Sequence, residues 1–242
     1  MPTVQHVVNA FSAPVAATGT RTRGALALGL VGALGEELLA QLVAGSDYSH
    51  VHVAVTTPMG SATARFRPWQ IGHGAIVADD AFVAVSGAGT FVPAASPIVR
   101  FGETDLIRAA RIAADCGVTR LTVIAPLAAL LQMNDAARTL DPATEIALRE
   151  MGFARLLIVR PTAAEADAAR GVRAVFRAMG RAVSDIMLPR YARTLSARSA
   201  ALAIAEAART APDGVTVLGA RELLAIVEAR FPALAPKPVR IR

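Results

Sequence analysis

From residue 25 onward, short apolar runs alternate with stretches whose apolar residues recur every three or four positions. A short apolar run bounded by turn residues reads as a strand buried on both faces, and the three-to-four spacing reads as one face of a helix. The predicted strands are ALALGL (25–30), VHVAVT (51–56), AFVAVSG (81–87), RLTVIAP (120–126), ARLLIVRP (154–161) and GVTVLG (214–219), with the alternating ATARFRPW (62–69) as a lesser one. Helices are predicted over 34–43, where Leu38, Leu39 and Leu42 share a face, and over 104–116, 142–151, 164–180, 196–209 and 220–230. Gly117 is placed to end the 104–116 helix, and Asp141 before Pro142 and Glu145 suits the start of the next. The 70–80 connection is too short and glycine-rich for a crossover helix.

Strand, helix, strand alternation specifies an α/β fold, a doubly wound parallel sheet with helices on both faces. Residues 1–24 are expected to be an N-terminal extension to a single domain, 25–242, in which 161–242 elaborates the same sheet and forms the substrate or partner side. Composition agrees with a folded chain. Of 242 residues, 54% are hydrophobic and 18% charged, with a mean hydropathy of +0.45, far from the regime of unfolded chains. Cys116 is the single cysteine, so no internal disulfide can form, and a cytoplasmic setting is expected. The first residues lack the basic and apolar regions of a secretory signal, and Glu36 and Glu37 interrupt the longest apolar stretch, so neither export nor membrane insertion is expected.

A net charge of +6 raises the question of nucleic acid, but the arginines are dispersed and aromatics are only 5%, so neither a phosphate-tracking stripe nor a stacking platform is seen. Candidate chemistry lies instead in the turn after the first strand, Gly29, Leu30, Val31, Gly32, Ala33, Leu34, Gly35, with the spacing GxxGxxG. Glycines between a strand and a helix let the backbone bend sharply and approach a pyrophosphate, which then sits at the positive end of the helix. The alternative is close helix–strand packing alone.

The order GLVGALGEELLAQLVAGSDYSHVHVAVT, AFVAVSG, a helix and LTVIAP, then a helix ending in MGFARLLIVRP, resembles the atypical short-chain dehydrogenases of the Tat-interacting-protein and NmrA-like type over about 25–161. The resemblance implies a Rossmann-type sheet and an NAD(P) site at the turn, in a crevice lined by the ends of the second, fourth and fifth strands. Thr56 and Thr57, Ser86 and Gly87 of the SGAGT turn, and Ala125 fall at those ends. It also implies a catalytic tyrosine, a lysine four residues later and a serine after the fifth strand. The family's spacing puts the first two on Ala137 and Asp141, and the strand ends in Ala125 and Pro126. Lys237 is the only lysine, and neither Tyr48 nor Tyr191 precedes one at that spacing. The standard catalytic set is absent.

No carboxylate stands where an NAD site would bind the ribose 2′-hydroxyl, and Arg65 or Arg67 could meet a 2′-phosphate, which tips the expectation slightly toward NADP. Those arginines could equally be the solvent face of an alternating strand. His50 and His52 share a strand face, but a metal site would want further ligands, and none is expected. Ser86 lacks an esterase elbow. Tyr191, flanked by Arg190 and Arg193, is the one alternative proton donor, against a bland role at a loop surface. Two functions follow: a dinucleotide-binding sensor or scaffold without tyrosine and lysine catalysis, or an NAD(P)H-dependent oxidoreductase with displaced catalytic groups acting on a small carbonyl or hydroxyl compound. Either leaves room for a small-molecule substrate, a protein partner or a homodimer.

Overall fold

The computed structural model describes residues 23–61, 63–86, 96–126, 140–161 and 195–235. Its strands are β1 (Arg23–Leu28), β2 (Tyr48–Ala54), β3 (Phe66–Trp69), β4 (Asp80–Ala84), β5 (Arg120–Ile124), β6 (Arg155–Arg160) and β7 (Gly214–Gly219). They form one sheet in the order β3-β2-β1-β4-β5-β6-β7, and every pairing is parallel. Chain order reverses between β1 and β4, the switch point of a Rossmann-type sheet, where the C-terminal strand ends leave a crevice.

The helices are α1 (Gly32–Ala44), α2 (Leu106–Asp115), α3 (Pro142–Glu150), α4 (Ala197–Thr210) and α5 (Ala220–Arg230). Alternate strand residues separate two cores. Ala25, Ala27, Val51, Val53 and Phe82 pack beneath α1, α4 and α5, while Leu26, Leu28, Ala81, Val83 and Leu121 pack with the Leu106, Ala109, Ala110, Ala113 stripe of α2 and with Leu148 of α3. The expected double layer is therefore present. The helix predicted over 164–180 lies outside the described residues.

Local chemistry accounts for the element ends. Gly117 closes α2 at φ +75, with Val118 N donating to Ala113 O and Gly117 N to Ala114 O, the paired bonds of a Schellman cap. Asp141 caps α3, its Oδ2 accepting from Thr144 N at 3.2 Å. Ser196 caps α4 through Ser199 N at 3.0 Å. The 70–79 connection has no helix, as expected, and Trp69 Nε1 donates to Gly74 O across it. β3 is shorter than the pattern suggested, because a turn bonded from Phe66 N to Thr63 O precedes it.

A buried ion pair ties the N-terminal ends of β4 and β5. Asp80 is 4% exposed and receives Arg120 in bidentate fashion, Nε to Oδ1 at 2.5 Å and Nη2 to Oδ2 at 2.9 Å. Burial pushes the Asp80 carboxyl above its usual range, opposed by Arg120. Tyr48 is buried beside Asp80, and burial raises its phenol well above the ordinary value. Removing one partner of a buried pair strands the other charge, so Arg120→Ala should lower the unfolding free energy by about 3 kcal/mol at neutral pH in a denaturant titration. Loss of less than half of that would show that solvent reaches Asp80 freely.

Candidate functional site: the glycine turn at the switch point

β1 ends at Leu28 because Gly29 takes φ +72, leaving the strand direction and bending toward α1. Val31 N donates to Gly29 O at 2.8 Å, and Gly32, also at φ +72, opens the helix. Two of the glycines fill spaces that admit no side chain. A Cβ on Gly29 would stand 2.3 Å from Ala84 O of β4, and one on Gly35 would stand 2.4 Å from the Leu30 carbonyl carbon. Gly35 thus lets α1 lie against its own turn, while Gly29 lets β1 and β4 close up before the crevice. Val31, the residue before α1, makes no side-chain cap, and the first helical turn holds no acidic residue. The leading amides and the positive end of the helix dipole therefore meet no carboxylate from the cap residue or the first turn of α1, which suits a phosphate.

The other residues of the turn divide. Leu30 and Val31 are buried, Leu34 packs on the α1 core, and Ala33 is exposed. At the end of β2, Thr56 and Thr57 are exposed. Ser86 stands at the end of β4 and Ala125, 1% exposed, at the end of β5, its N bonded to Val159 O. These strand ends share the C-terminal side of the sheet. Gly87, Tyr191 and Ala137 lie outside the described residues.

Four placements correct or sharpen the sequence reading. Arg65 does not stand near the end of β2. It precedes β3, its backbone O accepts from Val51 N, and Nη1 donates to Gly45 O, all on the opposite, N-terminal side of the sheet. Arg67 pairs in register with His52, in the middle of the sheet. Neither arginine is placed to meet a 2′-phosphate at Thr56. Asp141, which the family spacing aligns with the catalytic lysine, is the α3 cap already described. Tyr48 belongs to the Asp80 cluster at the other edge.

His50 and His52 do share a face, their rings edge to face at 4.9 Å, with His50 Nδ1 2.8 Å from Ser49 Oγ. Among the described residues no three His, Cys, Asp or Glu side chains converge as a metal set. Burial, followed by the neighbouring His50 and Arg67, lowers the His52 pKa to about 4. An unfolded chain takes up that proton near the ordinary value of 6.5 and the folded one does not, so stability drains as pH falls from about 6.5 toward 4. His52→Gln should flatten this slope, seen as a smaller drop in denaturation midpoint between pH 7 and 4.5 than the parent shows. An unchanged drop would assign the loss to other groups.

One part of the crevice was not foreseen. Residues 96–102 run across the C-terminal end of β1. Pro97 O accepts from Thr56 N at 2.7 Å and from Thr56 Oγ1 at 3.0 Å, and Val99 N donates to Ala54 O at 2.9 Å, so this end lies beside β2. Ser86 N then donates to Phe101 O at 2.9 Å, which places the other end beside β4. Phe101, 2% exposed, approaches Gly29, its ring 3.2 Å from the position of an added Cβ. The apolar run Ile98, Val99 and Phe101 between Pro97 and Gly102 was the available signal, and its partners at the end of β2 lie about forty positions away. At the glycine turn Val31 supplies no side-chain cap to α1, whereas the slot beyond β1, toward the end of β2, is taken by the chain itself.

No helix among the described residues is long and apolar enough to cross a membrane. No family model matches the chain, and neither does any curated protein. Among solved structures, the Bordetella bronchiseptica enzyme WbmH in complex with NAD+ is 12% identical at a TM-score of 0.45, covering 90% of this chain and 84% of that one. A short chain dehydrogenase from Burkholderia cenocepacia J2315 in complex with NADP is 16% identical at 0.42, covering 90% and 98%. WbmG of Bordetella bronchiseptica in complex with NAD is 13% identical at 0.40, covering 93% and 92%. Likenesses of this degree transfer no activity. The strand order and pairing stand on their own, and by them the chain has a seven-stranded Rossmann-type α/β fold.

Proposed function

We propose that this chain binds a dinucleotide of the NAD(P) type at the turn formed by Gly29, Gly32 and Gly35, and acts as a dinucleotide sensor or scaffold rather than through tyrosine and lysine catalysis. The observation that carries the reading is the start of α1: two glycines at φ +72 and no side-chain cap, at the switch point of the sheet. Those amides would hold the pyrophosphate, with the ends of β2 and β4 flanking the two halves of the ligand. When bound, such a group would supply a hydride; the chain's own contribution at the described positions is binding and orientation. Ala125 offers no hydroxyl where the family places a serine, and Asp141 is committed to a helix cap. With Arg65 and Arg67 turned elsewhere, an NADP preference has lost the donors that suggested it.

The test is an assay of NADPH-dependent and NADH-dependent reduction over a panel of small aldehydes and ketones, run on protein that binds the nucleotide. No turnover above the protein-free rate is expected. Turnover that Tyr191→Phe eliminates without loss of nucleotide binding would replace this reading with the oxidoreductase one and make Tyr191 the proton donor.

A further inference from the structure

We propose that residues 96–99 are an internal occupant of the adenosine side of the crevice, and that dinucleotide binding releases them from β2. The inference rests on the dinucleotide reading and concerns the regulation of that same site. In a sheet of this order the ligand lies across the strand ends at the switch point, with its adenosine half directed toward the end of β2. Here that slot is filled. Val55 and Ile98 face each other as an antiparallel pair, flanked by the Thr56 to Pro97 and Val99 to Ala54 bonds. Ile98 packs on the α1 core and Val99 on the α2 core, so the segment continues the sheet where β1 stops.

The two ends of the segment are held unequally. Phe101 is fully enclosed and bonded to Ser86, and Asp105 Oδ2 accepts from Gly102 N at 3.0 Å just beyond. Ile98 and Val99 are only half-buried, and Thr56, which holds Pro97, is exposed. Phe101 is thus an anchor and 96–99 the part that yields. A ligand that needs a minor, released conformation binds with an affinity reduced by the fraction of molecules in it. Binding then has a structural consequence, the freeing of 96–99, which is what a sensor requires.

The bonds flanking Val55 and Ile98 mark them as a non-hydrogen-bonded pair, whose Cα atoms lie about 4.5 Å apart, within reach of a disulfide. Val55→Cys with Ile98→Cys, in a Cys116→Ala background, gives a lock closed by oxidised glutathione and opened by dithiothreitol. NADPH and NADH are each titrated, and whichever binds the reduced form should bind the oxidised form at least about tenfold more weakly, because the released state is withheld. Inorganic pyrophosphate, which lacks the adenosine half, should bind both forms alike. Equal nucleotide affinity in both forms would overturn the proposal and leave the dinucleotide reading intact. Pyrophosphate binding with neither nucleotide binding in either form would make the segment a permanent part of the sheet, against the proposal. Failure of pyrophosphate and both nucleotides in both forms would remove the dinucleotide reading, and the proposal with it. Hydrogen exchange on the unaltered chain gives an independent measure: saturation with the nucleotide that binds should speed exchange at the Val99 amide, and unchanged or slower exchange there would overturn the proposal whatever the double variant does.

Discussion

Gly29→Ala should destabilise the protein by about 2–5 kcal/mol, the left-handed backbone contributing about 1–2 kcal/mol and overpacking the rest. The new methyl would stand 2.3 Å from Ala84 O, a main-chain atom held in β4 between its neighbours β1 and β5, so relief requires moving a strand rather than a side chain. Domains of this size are stable by only about 5–15 kcal/mol, and the fall in Tm should be on the order of 10 °C. Gly72→Ala is the control. Gly72 has φ +84 but nothing within 4 Å of the added carbon, so it should show the backbone penalty alone, about 1 kcal/mol. Equal losses in the two variants would mean that β1 and β4 can separate at no expense, and the close approach at the turn would lose its structural meaning.

Gly32→Asp should leave the chain folded and weaken dinucleotide binding by at least about 100-fold, since like charges brought together cost several kcal/mol. Aspartate tolerates a positive φ better than most residues, and a carboxylate at the start of α1 is favoured by the helix dipole, so the loss of stability at this buried position should stay near the backbone penalty, about 1–2 kcal/mol, and the chain should remain folded. The same carboxylate would occupy the position of the phosphate and take the amides that a ligand would use. This variant therefore separates binding from folding, which Gly29→Ala cannot do. Retained affinity in a folded Gly32→Asp protein would place the ligand, if any, elsewhere.

Much of the fold was legible because the central strands are apolar on both faces. Leu26 and Leu28 serve one core and Ala25 and Ala27 the other, a pattern that only a sheet covered by helices on both sides requires. The start of β2 was hidden for the converse reason. Ser49, His50 and His52 break the apolar run, on a face that no helix from the 70–79 connection covers. The glycine turn could be read as a motif, and Gly29 and Gly35 meet the close approaches such a motif implies. Arg65 misled because nearness in sequence to Thr56 says nothing of which sheet edge a parallel strand starts from: the Val51 to Phe66 register puts it at the far side. The 96–102 crossing was invisible to local periodicity, since its bonds reach back to Ala54 and Thr56 and its meaning depends on β1 stopping at Leu28.

Calorimetric titration of the unaltered chain with NADPH and with NADH bears most directly on the dinucleotide reading. Saturable one-to-one binding of at least one nucleotide is expected, lost in Gly32→Asp and competed by pyrophosphate, because the amides at the start of α1 are the common point of attachment. A folded protein that shows no saturable heat with either nucleotide, or binding that Gly32→Asp and pyrophosphate leave untouched, would contradict it.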